Sequence, residues 1–217
     1  MGGRSGQSTG GGGGGVNSRI FKYSSEDADV SIEQLSKNNS DYNPGGISGR
    51  SYNSLQNWEK FINSYTSNGY KVNEKIVDNK LNENDVKYIK GLNASLDKIP
   101  STEGTFTRGM RLRPGSRTEK LVNSLLNNVG KDIQMNTFLS TSSDKVTSKN
   151  FGTGSGTPVL FTVKGKNGKS VEKLSSWATE KEFMFKAGAK FKVNSASKEF
   201  DSNYGQEIYK ISLTEKR

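Results

Sequence analysis

The run WATEKEFMFKAGAKFKV (residues 177–193) sets Glu180 and Glu182 two positions apart at the mouth of an alternating apolar segment. In extended chain, residues i and i+2 project to the same side, so the pair is expected to share one face, with Lys181 on the other. At ~4 Å and an effective dielectric near 20, two like charges cost about 4 kcal/mol. A cationic or electrophilic group held between the carboxylates offsets that repulsion, and screening by solvent at a strand start also relieves it. Which of the two applies depends on what the rest of the chain brings to the same place.

Upstream, the chain divides by texture. Residues 1–15 contain nine glycines, and residues 16–50 stay rich in Ser, Asn and Gly, with one short helical candidate around Asp29–Leu35. Residues 1–50 are therefore expected to form a flexible tether, and residues 51–217 the folded domain. Leu55, Trp58, Phe61, Ile62 and Tyr65 are spaced as on a helix that Asn68-Gly69 breaks. Val86, Ile89, Leu92, Leu96 and Ile99 predict a second helix, capped by Asn82 or Asn84 and stopped by Pro100. Thr118–Val129 reads as a third, closed by Gly130. Beyond and between these lie short β-rich runs: TFTRGMRL, DIQMNTFLSTS, PVLFTVKG, EFMFKAGAKFKVNSA and QEIYKISLTE. Helices first and strands later predict an α+β fold.

Composition narrows the chemistry. The sequence has 217 residues, no Cys and no His, which removes disulfides, thiol nucleophiles, thiolate metal sites and the commonest general base. Catalysis would have to run on carboxylates, hydroxyls, Arg and Lys, and no dense acidic cluster suggests a metal site. The net charge of +10 points to an anionic partner such as nucleic acid, an acidic protein surface, a membrane face or a phosphorylated small molecule. Dispersed lysines also serve solubility alone. No run approaches the roughly 20 apolar residues of a membrane span, and MGGRSGQSTGGGGGG lacks the apolar core of a signal peptide.

Two other β-runs carry residues that fit the glutamates. Arg108 in TFTRGMRL is a permanent cation suited to bidentate phosphate binding, and Gly109 beside it permits close backbone approach. Ser140, first of the Ser140-Thr141-Ser142 triplet in FLSTSS, ends an apolar run, where its hydroxyl can orient a carboxylate. Taken singly, Arg108 reads first as a surface charge and FLSTSS as an ordinary strand-to-loop exit. Together, FTRGM, FLSTS and ATEKEFMFKAGAKFKV resemble, in order and spacing, the arginine-serine-glutamate class of mono-ADP-ribosyltransferases. The resemblance spans roughly residues 51–215 and includes Gly188 followed by Phe191 and Val193. It implies a β-rich core of two packed sheets behind N-terminal helices.

The resemblance implies NAD as co-substrate, no permanently bound cofactor, no metal, and transfer of ADP-ribose to a protein side chain with loss of nicotinamide. Arg108 would clamp the pyrophosphate, with Gly109 alongside. Glu182, oriented by Ser140, would hold the ribose and face the oxocarbenium charge. Glu180 would receive the acceptor guanidinium and take its proton, since a Glu at that position accompanies arginine acceptors in the family. SDKVTSKNFGTGSGTPV matches the loop that folds over nicotinamide, with Phe151 able to stack there. KLSSWAT corresponds to the acceptor-recognition loop, with Trp177 its contact. GTGSG is not a dinucleotide fingerprint, because its third glycine is misplaced and no helix follows.

These expectations describe a secreted or injected toxin or effector acting in a target cell's cytoplasm. Its partner would be a protein with an exposed arginine, for which actin, a small GTPase or a bacterial cytoskeletal protein are candidates, and an immunity protein is left open. Membrane is not expected as a partner. Two other readings stay open here: a basic nucleic-acid-binding α+β module, and a transferase whose acceptor is RNA or water.

Overall fold

Asn82 opens the longest helix by a reciprocal cap: its side chain accepts from Asp85 N–H at 2.9 Å, and the Asp85 carboxylate accepts from Asn82 N–H at 2.9 Å. The computed structural model describes residues 30–47, 50–145 and 154–216. Its helices are α1 (Ile32–Asn38), α2 (Asn57–Ser67), α3 (Val72–Val77), α4 (Glu83–Asp97) and α5 (Arg117–Leu126). The strands are β1 (Ser101–Leu112), β2 (Asp132–Gln134), β3 (Leu139–Ser142), β4 (Thr157–Ser170), β5 (Glu182–Phe185), β6 (Lys190–Asp201) and β7 (Gln206–Glu215). The α+β order read from sequence holds. No helix among the described residues is long and apolar enough to cross a membrane.

The helical layer packs by the predicted spacing. Phe61, Ile62 and Tyr65 of α2 and Tyr88, Ile89, Leu92 and Leu96 of α4 are all buried in one cluster. Gly91 lets the two helices approach closely, since a Cβ there would lie 2.4 Å from the Phe61 ring. The third predicted helix is shorter than read: α5 ends at Leu126, and Gly130 at φ +83° turns the chain so that its N–H reaches the Val193 carbonyl at 2.8 Å.

Packing begins earlier than the expected boundary at residue 50. In α1, Ile32 and Leu35 are buried in the same cluster, and Ser31 caps the helix by accepting from Glu33 N–H. Tyr42 stacks on Tyr88 with ring centroids 3.8 Å apart, and its hydroxyl donates to the buried Asp85 carboxylate. Apolar side chains outweighed the polar texture that suggested a tether. Residues 1–29 lie outside the described residues.

The strands hydrogen-bond in the order β1-β3-β5-β4-β7-β6-β2, all pairs antiparallel except β4–β7. A further β1–β4 ladder, from Ser101 opposite Lys169 to Leu112 opposite Thr157, closes β1, β3, β5 and β4 on themselves. Phe106, Phe161, Val163, Phe185, Phe191, Val193, Ile211 and Leu213 consequently meet in a second core between facing strands.

Two runs expected as single strands are each divided. DIQMNTFLSTS supplies β2 and β3, which pair with β6 and β5 respectively. EFMFKAGAKFKVNSA does not run straight through its glycine: β5 stops at Phe185, Gly188 takes φ +92°, and β6 starts at Lys190. Both turns lie side by side, with Gly188 N–H donating to Met135 O at 2.7 Å and Met135 N–H to Ala189 O at 2.8 Å. This double corner leaves one face of β3 and β5 toward the helices. Met184 and Phe138 enter the helical cluster, whereas Leu139 and Phe185 enter the strand core.

Candidate active site

Along β5, Glu182 shares the Met184 face, so its side chain projects toward the helical layer. Ser142 lies opposite Glu182 in the β3–β5 ladder and Ser140 opposite Met184, which sets Ser140 diagonal to the carboxylate and within reach of a long side chain. Glu182 is only 8% exposed. Burial pushes its carboxyl up to about 7; the Ser140 hydrogen bond opposes the rise, the neighbouring Glu180 charge adds to it, and the Arg108 charge opposes it.

β1 brings in the cation. Thr107 lies opposite Ser142, and the next residue, Arg108, extends a guanidinium whose Nη1 donates to the Ser140 carbonyl at 2.6 Å. Arg108 and Gly109 are half-buried, paired to Phe161 and Leu160 of β4. The structure therefore brings Arg108, Ser140 and Glu182, far apart in sequence, to one face.

Glu180 joins them by a route the alternation argument did not foresee. Ala178–Glu180 is a turn of 3-10 helix, and Lys181 has φ +46°, so the segment is not extended. A left-handed lysine is uncommon and carries strain, which neighbouring hydrogen bonds hold in place. The Ser142 hydroxyl donates to the Glu180 carbonyl at 2.7 Å, and Ser143 N–H to the Lys181 carbonyl at 3.3 Å. Lys181 itself is exposed. Glu180 is half-buried, and that burial raises its pKa.

The segment just before the glutamates is fixed at its base and open at its tip. Asn63 of α2 donates to Leu174 O and Gly46 O at 3.0 Å each, and accepts from Gly46 N–H at 3.0 Å. Ser176 N–H reaches Thr66 Oγ1 at 3.0 Å. Trp177, one residue on, is 61% exposed. Phe151, expected to stack on nicotinamide, lies outside the described residues.

Three contributors escaped the sequence reading. Tyr65 was legible only as an apolar helical position, yet its hydroxyl lies 3.3 Å from Ser140 Oγ. Asn73, near the start of α3, donates to that tyrosine oxygen at 3.0 Å. Asn63 anchors the loop from a buried helical position. Polar residues on the inner face of an otherwise amphipathic helix were the available signal. Among the described residues no group of three or more Asp or Glu could hold a metal ion.

Comparison with known proteins bears on the fold and the family. A family model described as ADP-ribosyltransferase exoenzyme matches residues 47–216. The ADP-ribosyltransferase Vis from Vibrio splendidus, solved with agmatine, is 22% identical; the match covers 86% of this chain and 85% of Vis, with a TM-score of 0.55. Exoenzyme S from Pseudomonas aeruginosa, solved with human 14-3-3 protein beta and Carba-NAD, is 18% identical over 93% of this chain and 89% of its own, with a TM-score of 0.59. HopU1 of Pseudomonas syringae pv. Tomato is 22% identical over 67% and 64%, with a TM-score of 0.51. At such identities the likeness is one of fold. No curated protein matches the chain in sequence.

Proposed function

The chain belongs to the ADP-ribosyltransferase exoenzyme family, a group of bacterial toxins and effectors that use NAD as co-substrate, and on that premise we propose that it transfers ADP-ribose to an arginine of a target protein. The observation that carries this reading is the buried Glu182 carboxyl, with Ser140 diagonal to it across the β3–β5 ladder, Arg108 tied to the Ser140 carbonyl, and the Glu180 and Arg108 charges near enough to act on it.

In the proposed reaction the bond between nicotinamide and ribose C1 breaks, nicotinamide leaves with the bonding electrons, and positive charge builds on the ribose. Glu182, once ionised, faces that charge and holds the ribose hydroxyl, as carboxylates do in glycoside hydrolysis. Arg108 neutralises the pyrophosphate, with Gly109 giving the substrate close access to β1. The acceptor is a guanidinium, a poor nucleophile until a proton is removed as the new C–N bond forms. Glu180, raised in pKa by its burial, takes that proton. The exposed Trp177 contacts the target protein, and the agmatine found with Vis, itself a guanidinium compound, supports an acceptor of this kind. The site of action is the cytoplasm of a target cell; neighbours described as type III effectors support that assignment.

The test is incubation with labelled NAD and a cell lysate, comparing wild type with Glu182→Ala and Glu180→Ala. Glu182→Ala is expected to abolish both transfer and NAD hydrolysis. Glu180→Ala is expected to lose transfer and keep hydrolysis. Equal labelling by all three proteins would discard these roles, and label that resists hydroxylamine treatment suited to arginine adducts would move the acceptor elsewhere.

A further inference from the structure

We propose that Asn73 and Tyr65 form a hydrogen-bond relay that turns the Ser140 hydroxyl hydrogen onto Glu182, which makes Tyr65 a positioning residue for ADP-ribosyl transfer. The relay rests on the reading of the site given above.

Each link follows from what the atoms can donate. The Asn73 Oδ1 accepts from Phe138 N–H at 3.0 Å, which fixes the orientation of its amide. Its Nδ2, a donor only, is 3.0 Å from the Phe138 carbonyl and 3.0 Å from the Tyr65 hydroxyl oxygen. That oxygen therefore accepts from Asn73, and its single hydrogen is directed at its other neighbour, Ser140 Oγ, 3.3 Å away. With an acceptor site of Ser140 Oγ filled from Tyr65, the one serine hydrogen is left to turn toward the Glu182 carboxylate, which lies diagonally across the β3–β5 ladder. The serine backbone is held separately by Arg108 at its carbonyl.

The tyrosine ring has no freedom to leave. Tyr65 is 2% exposed and packs edge-on against Phe138, with centroids 5.3 Å apart. The 3.3 Å link is longer than a usual O–H···O contact, so it steers a hydroxyl rotor more than it stabilises the fold. The charged groups that face Glu182 are Glu180 from the turn before β5 and Arg108 from β1; the neutral ones are Ser140 from β3 and Tyr65 from α2. Since the Ser140 hydrogen bond opposes the rise in Glu182 pKa, loosening that bond raises the pKa further.

The experiment uses Tyr65→Phe, which keeps the ring and removes only the hydroxyl, and Asn73→Asp, whose carboxylate only accepts and so draws the Tyr65 hydrogen away from Ser140. NAD hydrolysis is followed from pH 5 to 9, and the Glu182 side-chain carboxyl is titrated by carbon-13 NMR without substrate. Both variants are expected to lower kcat by roughly 5- to 10-fold at near-constant KM, and to move the Glu182 titration up by about half a unit or more. In a Ser140→Ala background, Tyr65→Phe is expected to add no further loss, because the relay is already cut. An unmoved Glu182 titration in Tyr65→Phe overturns the relay, as do independent, additive losses in the double variant. A wild-type protein that does not cleave NAD would instead remove the functional reading, and the NMR titration would still decide the relay. If Tyr65→Phe does not fold, Asn73→Asp alone decides it by the same titration.

Discussion

Arg108 Nη1 donates to the Ser140 carbonyl at 2.6 Å, tying β1 to β3 where the two strands share a single ladder pair, Thr107 with Ser142. One guanidinium thus meets the backbone of Ser140, the residue proposed to orient Glu182, and its several N–H groups also suit an anionic substrate. Arg108→Ala is expected to raise the NAD dissociation constant at least about tenfold, or ~1.4 kcal/mol, and to lower kcat as well. Calorimetric titration with NAD beside hydrolysis kinetics measures both. Unchanged affinity would move phosphate binding to another cation, with Arg111 the next candidate on β1.

Glu182 acts as an anion in the proposed reaction, while its burial holds the carboxyl at about 7. The kcat/KM for NAD hydrolysis should therefore climb as pH rises through about 7 and level off above it. A profile already flat from pH 5 upward would contradict an acid limb set by this residue.

The same burial has a stability signature. The folded-state pKa of Glu182 lies above its ordinary value of 4.5, so between pH 4.5 and 7 the folded protein holds a proton the unfolded chain has released. Stability contributed by the neutral form is full below pH 4.5 and is lost as pH rises through 7. Glu182→Gln, neutral at every pH, is expected to be inactive yet more stable than wild type at pH 8, by roughly 3 kcal/mol at most. Urea unfolding at pH 8 and pH 4.5 measures the difference, which should shrink at the lower pH.

The loop before the glutamates has an anchored base and an exposed tip. Asn63→Ala leaves the buried Leu174 carbonyl and the part-buried Gly46 N–H without this partner, while the Gly46 carbonyl keeps Ser176 Oγ, and is expected to cost about 2 kcal/mol in thermal or urea unfolding. Trp177→Ala removes an exposed ring and should leave both stability and NAD hydrolysis unchanged while lowering transfer to protein. Loss of hydrolysis in Trp177→Ala would assign the ring to the NAD site.

Much of the helical layer was legible because an amphipathic period writes its buried face directly into sequence: Phe61, Ile62, Leu92 and Leu96 lie where their spacing put them. Texture misled at the boundaries. Ile32, Leu35 and Tyr42 sit among Ser and Asn, yet they are buried, because three well-placed apolar side chains suffice to dock a short segment on an existing core. Conformation at Gly188 was missed for a related reason, since alternation is the same on either side of a corner and does not mark which sheet a strand joins.

By itself the sequence determined the α+β order, the catalytic residue types available without His or Cys, and the three runs carrying Arg108, Ser140 and the glutamates. Tertiary structure decided that Arg108 grips the Ser140 carbonyl, that a left-handed Lys181 and a 3-10 turn rather than strand alternation set Glu180 beside Glu182, and that Tyr65 reaches the serine from the helical layer. Periodicity is a local property of the chain. Hydrogen-bond partners and the burial that shifts a carboxyl depend on residues dozens of positions away, and only folding brings them within reach.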